Sequence, residues 1–350
     1  MEKFPLSSFT LGLAIIGGLV LAVLVAWNAW TSRRNTPRQA QPPAPGTAAG
    51  PIDPTLERSD PVFDTDNEPV PLPLPERKPG LDALIDVIAP IVLEGPVSGD
   101  AALAAMPTTR RAGSKPFAIE GLNEASGHWE LPHPGQRYGA FQAGVQLANR
   151  TGALNEIEYS EFVMKAQAFA DAVNGSPDFP EMLHEVARAR ELDQFASGHD
   201  AQLGFTLRAR NAAWSPGYVQ QNASRLGFVA GAIPGRMVLP AGVAGAPPLL
   251  GLSFDTQAAM ADDPAQSALR ELTLSLDVPQ ADRAEQPFAR MREAAVALAT
   301  AMDGIVTDDD GHVIREEAMD VIGADLEQLY DTLDSRDLAA GSPLARRLFS

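Results

Sequence analysis

The sequence predicts an α+β protein with two tandem domains, placed behind a membrane anchor and a disordered linker. Three observations lead to this class. The chain opens with a long uncharged apolar run, a proline-rich stretch follows it, and beyond about residue 84 strand-like and helix-like patterns alternate. A weak repeat within the alternating part indicates that one fold occurs twice.

The first predicted element is the apolar run from Thr10 to Trp30, which carries no charged residue. About twenty residues at ~1.5 Å rise per residue span the ~30 Å hydrocarbon layer of a bilayer. A cleaved export signal has a basic start and a shorter apolar core. Here the run is long, and Lys3 is the single basic side chain before it. We therefore predict a retained transmembrane anchor over residues 1–32.

The charges that flank the run predict its orientation. Arg33, Arg34 and Arg38 follow it, against Lys3 before it. Cationic side chains next to a membrane span are retained on the cytoplasmic side. We therefore expect a single-pass protein whose C-terminal region is cytoplasmic.

The second predicted element is a linker over residues 33–83. The stretch between Ser32 and Gly80 holds twelve of the thirty prolines and almost no aromatic residue. Such a composition buries too little apolar surface to offset the entropy of ordering. The linker is therefore predicted to be disordered, with polyproline character.

Charge and cysteine content exclude several classes of partner. The net charge is −18, and residues 1–78, with seven basic and eight acidic side chains, carry only −1 of it. The remaining −17 falls on residues 79–350, and a body this acidic is repelled by phosphate backbones, so no nucleic-acid partner is expected. The chain has no cysteine, which excludes disulfides and thiolate metal sites.

The alternating part contains short β-branched or aromatic runs and longer amphipathic ones. Strands are predicted at 88–94, 117–122, 144–149, 203–210, 249–254 and 272–278. Helices are predicted at 156–174, 179–195, 216–227, 286–304 and 315–333.

A shift of 129 residues aligns the two halves of this part without a gap. It lays Val145 on Leu274 in a strand and Gly175 on Gly304 after a helix. Any two α+β segments share some periodicity, which is the alternative explanation. The repeat favours two domains divided near residue 198, a first domain over 84–197 and a second over 198–340.

The chain shows no spacing typical of a catalytic or metal site. None of the five histidines has a second histidine four residues away, and there is no phosphate-binding loop and no nucleophile elbow. The stretch TDDDGHV departs from the calcium-loop pattern, and Asp310-Gly311 within it is a hairpin signal. We therefore expect no enzyme activity, no cofactor and no metal.

Four stretches of the C-terminal part carry a resemblance in their order. They are GFTLRARNAAWSPGYVQQNASRLGF, PPLLGLSFDT, LRELTLSLDVP and FARMREAAVALATAMDGIVTDDDGHVIREEAMDVI. Over about residues 200–335 this succession of strands and helices, behind an anchor and a proline-rich tether, resembles the ZipA family of bacterial cell-division proteins.

The resemblance implies an antiparallel sheet with helices on one face and the other face open. In that family the open face binds the C-terminal tail of FtsZ, so the chain would tether and stabilise FtsZ filaments at the inner membrane. The matching partner-binding positions in this sequence are Thr206, Arg208, Arg210, Thr273, Ser275 and Asp277.

Two alternatives remain open at this stage. The first domain, if it is a second copy, has an apolar strand that could bind the partner instead, with Phe141, Ala143, Val145 and Leu147. The second alternative is an envelope-spanning tether of the TonB or TolA type, with the folded part in the periplasm.

Overall fold

The computed structural model describes residues 37–40, 80–243 and 245–350. The predicted anchor and nearly all of the predicted linker lie outside these residues. Within the part that is described, none of the helices combines the length and the apolar character that a membrane crossing requires. The chain divides into two compact units, Gln41–Leu192 and Met1–Ala40 with Asp193–Ser350, whose described parts are called here the first and the second domain.

The first domain contains a mixed set of strands and helices. They are β1 (Asp86–Ser98), α1 (Gly99–Ala105), β2 (Arg111–Ala112), β3 (Lys115–Asn123), β4 (Trp129–Glu130), β5 (Arg137–Gln146), β6 (Ala148–Asn149), β7 (Gly152–Ala153), α2 (Glu156–Ala172), β8 (Gly175–Pro177) and α3 (Met182–His199). The sheet has the order β2-β3-β5-β1-β8, with β4 on β3, and its strand pairs are antiparallel.

The second domain also combines an antiparallel sheet with helices. Its elements are β9 (Gln202–Ala209), α4 (Pro216–Ser224), β10 (Val229–Ala230), β11 (Arg236–Leu239), β12 (Leu250–Ser253), α5 (Thr256–Ala259), β13 (Glu271–Asp277), α6 (Pro287–Met302), β14 (Gly304–Thr307), α7 (Glu316–Asp334) and α8 (Pro343–Leu348). The sheet order is β10-β11-β12-β13-β9-β14, again antiparallel. The predicted α+β class with antiparallel sheets is confirmed.

The two sheets share their connectivity. In each domain the first strand, β1 or β9, lies next to the edge strand of its sheet. It pairs on one side with the last strand of the same sheet before helix α2 or α6, which is β5 or β13, and on the other side with the strand after that helix, β8 or β14. The long helices also end alike, because Asn174 (φ 52°) and Asp303 (φ 56°) follow them in the left-handed region, which Asn and Asp tolerate best after Gly.

The core of the second domain lies between its sheet and α6. This helix packs across β9, β13 and β14, and α4 and α7 pack against it. Phe205 and Phe288 meet edge to face, with ring centroids 6.2 Å apart. Trp214 is fully buried beside the end of α6, where its polar N–H finds a carbonyl partner as buried indoles require.

Three of the differences between observed and predicted bounds concern β5 and α3. β5 begins at Arg137, earlier than the strand predicted from 144. α3 begins after Glu181, whose carboxylate accepts from the N–H groups of Leu183 and His184 and so caps the helix. The helix then runs to His199, through the predicted domain boundary.

Candidate functional site

The sheet of the second domain presents one face away from the helices. Strand alternation turns Phe205 and Leu207 of β9 toward the core, where both are buried. Thr206 and Arg208 point to the opposite face, directly across from Thr273 and Glu271 of β13. We call this opposite side the open face.

A polar row crosses the open face at one level. Successive strand pairings place its members side by side, in the order Arg236, Ser253, Thr273, Thr206, Thr307 and Val313. The hydroxyl of Thr307 donates to the carbonyl oxygen of Thr206 at 3.1 Å, and both residues are buried. The accessible parts of this row are therefore the half on β11, β12 and β13 and the exposed Val313 at the opposite end.

The next row is built mainly from small residues. It runs through Val229, Val238, Gly251, Ser275 and Gly204. A Cβ on Gly251 would lie 2.6 Å from the Ser275 hydroxyl oxygen, so the serine side chain lies directly beside the glycine. Since the two glycines add no side chain, this row forms a shallow trough, with the exposed Val229 at one end.

An acidic turn stands at the β9 and β14 side of the open face. Thr307 and Val313 form an antiparallel bridge, and Gly311 has φ 87°, which confirms the predicted hairpin. The turn reaches the sheet, because a Cβ on Gly311 would lie 2.7 Å from Nη1 of Arg208 and a Cβ on Gly204 3.8 Å from Oδ1 of Asp309. This contact closes one side of the open face.

Hydrogen bonds fix the charges in that turn. Asp308 accepts from the backbone N–H of His312 at 2.7 Å. Burial opposes ionisation of Asp308, but the hydrogen bonds from His312 outweigh it and hold the pKa of Asp308 below its ordinary value. Asp308, Asp310 and His312 bring their ligand atoms within 4.8 Å of one another. The turn thus places fixed negative charge beside the open face.

Arg208 lies between this turn and the polar row. Its Nε is 3.5 Å from the Glu271 carboxylate, and both side chains are partly exposed. An ion pair at this distance and exposure contributes little to stability. The contact with Glu271 therefore adds little to the stability of this face.

Five of the six predicted partner-binding residues point to this face, and they differ in accessibility. Ser275 is exposed, while Thr273, Asp277 and Arg208 are half-buried. Thr206 is 8% exposed. Only the first four can meet a partner without a rearrangement of the turn.

Arg210 is placed elsewhere. It follows the end of β9, and its backbone N–H donates to Asp303 O at 3.1 Å. Its Nε donates to Gly304 O at 3.3 Å, and the side chain lines a cavity of about 650 Å³ beside Val296 and Thr300 of α6. Because β9 has ended, strand alternation no longer sets the direction of this side chain.

The apolar strand considered in the first domain does not form a surface. Phe141, Ala143, Val145 and Leu147 are all 0–1% exposed and belong to the core of that domain. The expectation that they offer a binding surface is wrong, because β5 turns them toward α2, with Phe141 edge to face against Phe169 at 5.1 Å.

The opposite face of the first domain carries other residues. Its outer row includes Val92, Ala140 and Leu122 in register, and Val92 is 67% exposed. Leu81 covers another part of that face, since a Cβ on Gly144 would lie 2.4 Å from its Cδ2. The N–H of Leu81 is held by the Glu120 carboxylate at 3.0 Å.

The sequence did not reveal the β10 and β11 side of the open face. Val229, Arg236 and Val238 lie on strands of two and four residues. Runs this short carry almost no periodicity. A weak signal was available, the turn-forming Pro234-Gly235 before RMVL.

The fold and this face define a domain of a recognisable class, an antiparallel sheet backed by helices with one face left for a partner. Residues 258–324 match the family model of the ZipA C-terminal FtsZ-binding domain. This match confirms the resemblance seen in the sequence, and it falls within the second domain. No curated protein matches the chain.

The matched range runs from α5 into α7 and includes β13, α6 and β14. It therefore contains Thr273, Ser275 and Asp277, whereas β9 with Arg208, and Arg210 after it, precede the matched range.

Proposed function

We propose that this chain is a membrane-anchored cell-division protein that binds the FtsZ C-terminal tail on the open face of its second domain. The family match carries the proposal, since it falls on β13, the strand at the centre of that face. The trough over Gly251, Ser275 and Gly204 supports it, because small residues let an extended backbone approach closely.

The proposal includes what binding would accomplish. An anchor over residues 1–32 in a bacterial inner membrane, with the C-terminal region in the cytoplasm, would tether FtsZ filaments to the membrane and stabilise them there. Support comes from the uncharged run up to Trp30 and the arginines after it. The proposed role is that of a binding protein without enzyme activity, and the family match lends no support to an envelope-spanning tether.

We also infer that the two domains are copies of one fold. Four neighbouring strands correspond in order, β3-β5-β1-β8 and β12-β13-β9-β14. Helices α2 and α6 are followed by left-handed residues 129 positions apart, Asn174 and Asp303. The open face of the second domain is the proposed binding copy, since only that domain contains the family match.

A titration of the full chain in detergent against a fluorescent FtsZ tail peptide tests the binding. We expect a saturable rise in anisotropy. Ser275→Arg should weaken binding by roughly tenfold or more, because the long side chain fills the trough. Ser335→Arg, an equally large change at an exposed position after α7, should leave the affinity unchanged. Absence of saturable binding in the unmodified chain would remove the proposal.

Reporter fusions after Ser350 test the orientation. A fluorescent protein that matures only in the cytoplasm should be bright in this fusion. Activity of alkaline phosphatase at the same position would instead place the C-terminal region in the periplasm.

A further inference from the structure

The short segment Pro37–Ala40 lies against the second domain although it is far from it in sequence. The N–H of Arg38 donates to Ala213 O at 2.7 Å, and the N–H of Ser215 donates to Arg38 O at 2.9 Å. These two bonds make a parallel bridge between Arg38 and Trp214. The segment thus adds to the loop between β9 and α4 as an extended strand would.

Trp214 is the middle member of a three-part ladder. On its other side it exchanges two backbone hydrogen bonds with Leu269, both at 2.8 Å. The indole of Trp214 is fully buried. Because Trp214 is buried and bonded to Leu269, its other backbone edge is already in position to pair with Arg38.

The side chain of Arg38 enters a site at the end of α6. Its Nη2 is 3.0 Å from Oδ2 of Asp303, and its Nη1 donates to Met302 O at 3.3 Å. The C-terminus of a helix carries partial negative charge from its last carbonyl groups, which favours a cation there. A carboxylate and a helix-end carbonyl together match the fork of a guanidinium.

Neighbouring residues hold this acceptor pair in position. The Asn211 amide donates to the same Oδ2 of Asp303 at 3.1 Å. The backbone N–H of Asp303 donates to Ala299 O, which fixes the residue as the cap of α6. Trp214 Nε1 donates to Met302 O at 2.8 Å.

We propose that the second domain carries a second peptide-binding site, separate from the open face, for an extended segment that bears an arginine. Its ligand is the chain's own segment Pro37–Ala40. The backbone edge of Trp214 binds the main chain, and Met302 O with Asp303 binds the guanidinium. The site holds Pro37–Ala40 against the C-terminal domain.

This inference does not depend on the proposed anchor or on FtsZ. If the anchor ends near Trp30, the eight residues up to Arg38 reach at most roughly 28 Å at full extension. The contact between Pro37–Ala40 and the second domain would then keep that domain close to the bilayer.

Engineered cysteines in the full chain give the first test, because the natural sequence has none. A Cβ on Gly217 would lie 3.8 Å from the Ala40 Cβ. This distance matches the mean Cβ–Cβ separation of ~3.8 Å in disulfides. Ala40→Cys with Gly217→Cys should therefore close under mild oxidation. Ala40→Cys with Gly198→Cys is the matched control, since no described atom lies within 4 Å of a Cβ at Gly198. We expect it to close at least roughly tenfold more slowly.

Variants of the arginine site give the second test. Asp303→Asn keeps a residue that tolerates the left-handed backbone but removes the charge, and Arg38→Gln removes the fork. Each substitution should slow disulfide formation by the 40/217 cysteine pair by roughly tenfold. The double variant should be only a little slower than either single variant, because both substitutions remove the same interaction. Asp325→Asn, at an exposed position of α7, should have no effect.

Trypsin supplies a measurement that needs no cysteine. Cleavage after Arg38, relative to cleavage after Arg58, should rise severalfold in the Asp303→Asn chain. The proposal is overturned if the 40/217 pair closes no faster than the control pair. It is equally overturned if both Asp303→Asn and Arg38→Gln leave the closure rate unchanged and Asp303→Asn also leaves the trypsin ratio unchanged.

Discussion

The buried indole of Trp214 donates a hydrogen bond to Met302 O at 2.8 Å and thereby joins the loop after β9 to the end of α6. This contact lies beside the strand pair of β9 and β14. It therefore fixes the end of α6 relative to β9.

Trp214→Phe should therefore destabilise the second domain. The substitution leaves a cavity in a fully buried position and removes the indole donor, so we expect a loss of about 2–3 kcal/mol in the free energy of unfolding. Urea unfolding followed by circular dichroism measures it. Tyr218→Phe is the matched control, because the exposed Tyr218 hydroxyl donates to the preceding carbonyl, Ala301 O, at 3.2 Å. It should cost no more than about 0.5 kcal/mol, and equal losses in the two variants would contradict the role given to Trp214.

Tyr330 predicts a pH dependence in the second domain. Burial, with Glu327 nearby, raises the pKa of Tyr330 to about 12 from its ordinary value of 10.0, although Arg283 acts in the opposite direction. The neutral phenol is thus favoured in the folded state. Its contribution to stability is complete below pH 10 and is lost as the pH rises from 10 to 12.

Tyr330→Phe should abolish that loss, so unmodified protein and variant should differ in melting temperature progressively above pH 10. Near pH 7 the variant should be as stable as the parent or slightly more stable. Within the part of the chain that the structure describes, the buried Tyr330 hydroxyl has no hydrogen-bond partner. A parallel alkaline loss in both proteins would exclude Tyr330 as the cause.

The hairpin beside the open face depends on Gly311. Its φ of 87° is costly for a residue with a side chain, so Gly311→Ala should lower stability by about 1 kcal/mol. Gly198→Ala, in the last turn of α3, should be neutral or stabilising, since Ala favours helix. The melting temperatures of the two variants are compared by thermal unfolding. A Gly311→Ala protein as stable as the unmodified protein would show that the turn does not need a left-handed glycine.

The exposed face of the first domain distinguishes the two domains as binding sites. Val92→Asp places a charge on its apolar row at a 67% exposed position. Because the family match lies in the second domain, the affinity for the FtsZ tail peptide should not change. A loss comparable with that of Ser275→Arg would assign the binding to the first domain.

Much of the fold follows from local pattern. Alternation in LGFTLRAR predicted both β9 and the side to which Phe205 and Thr206 point, since successive side chains on a strand face opposite sides. The stripe of Met291, Leu298 and Met302 predicted α6, because its spacing repeats once per helical turn.

The candidate site was predictable only in part. Thr273, Ser275 and Asp277 lie on the predicted face, but the burial of Thr206 beneath the neighbouring hairpin was not foreseeable. In the first domain, the side to which Phe141 points depends on where α2 packs, and an apolar strand alone does not determine this.

The sequence by itself determined most of the longer elements, their order, the pattern that recurs at 129 residues and the resemblance of the second domain to a family. These features depend on interactions among residues close in the chain, and their periodicity can be read directly from the sequence. The tertiary structure alone decided which face residues stay accessible, that Arg210 leaves the face, and that Arg38 meets Asp303. Those outcomes depend on contacts between residues distant in sequence, and the packing of the folded chain establishes them.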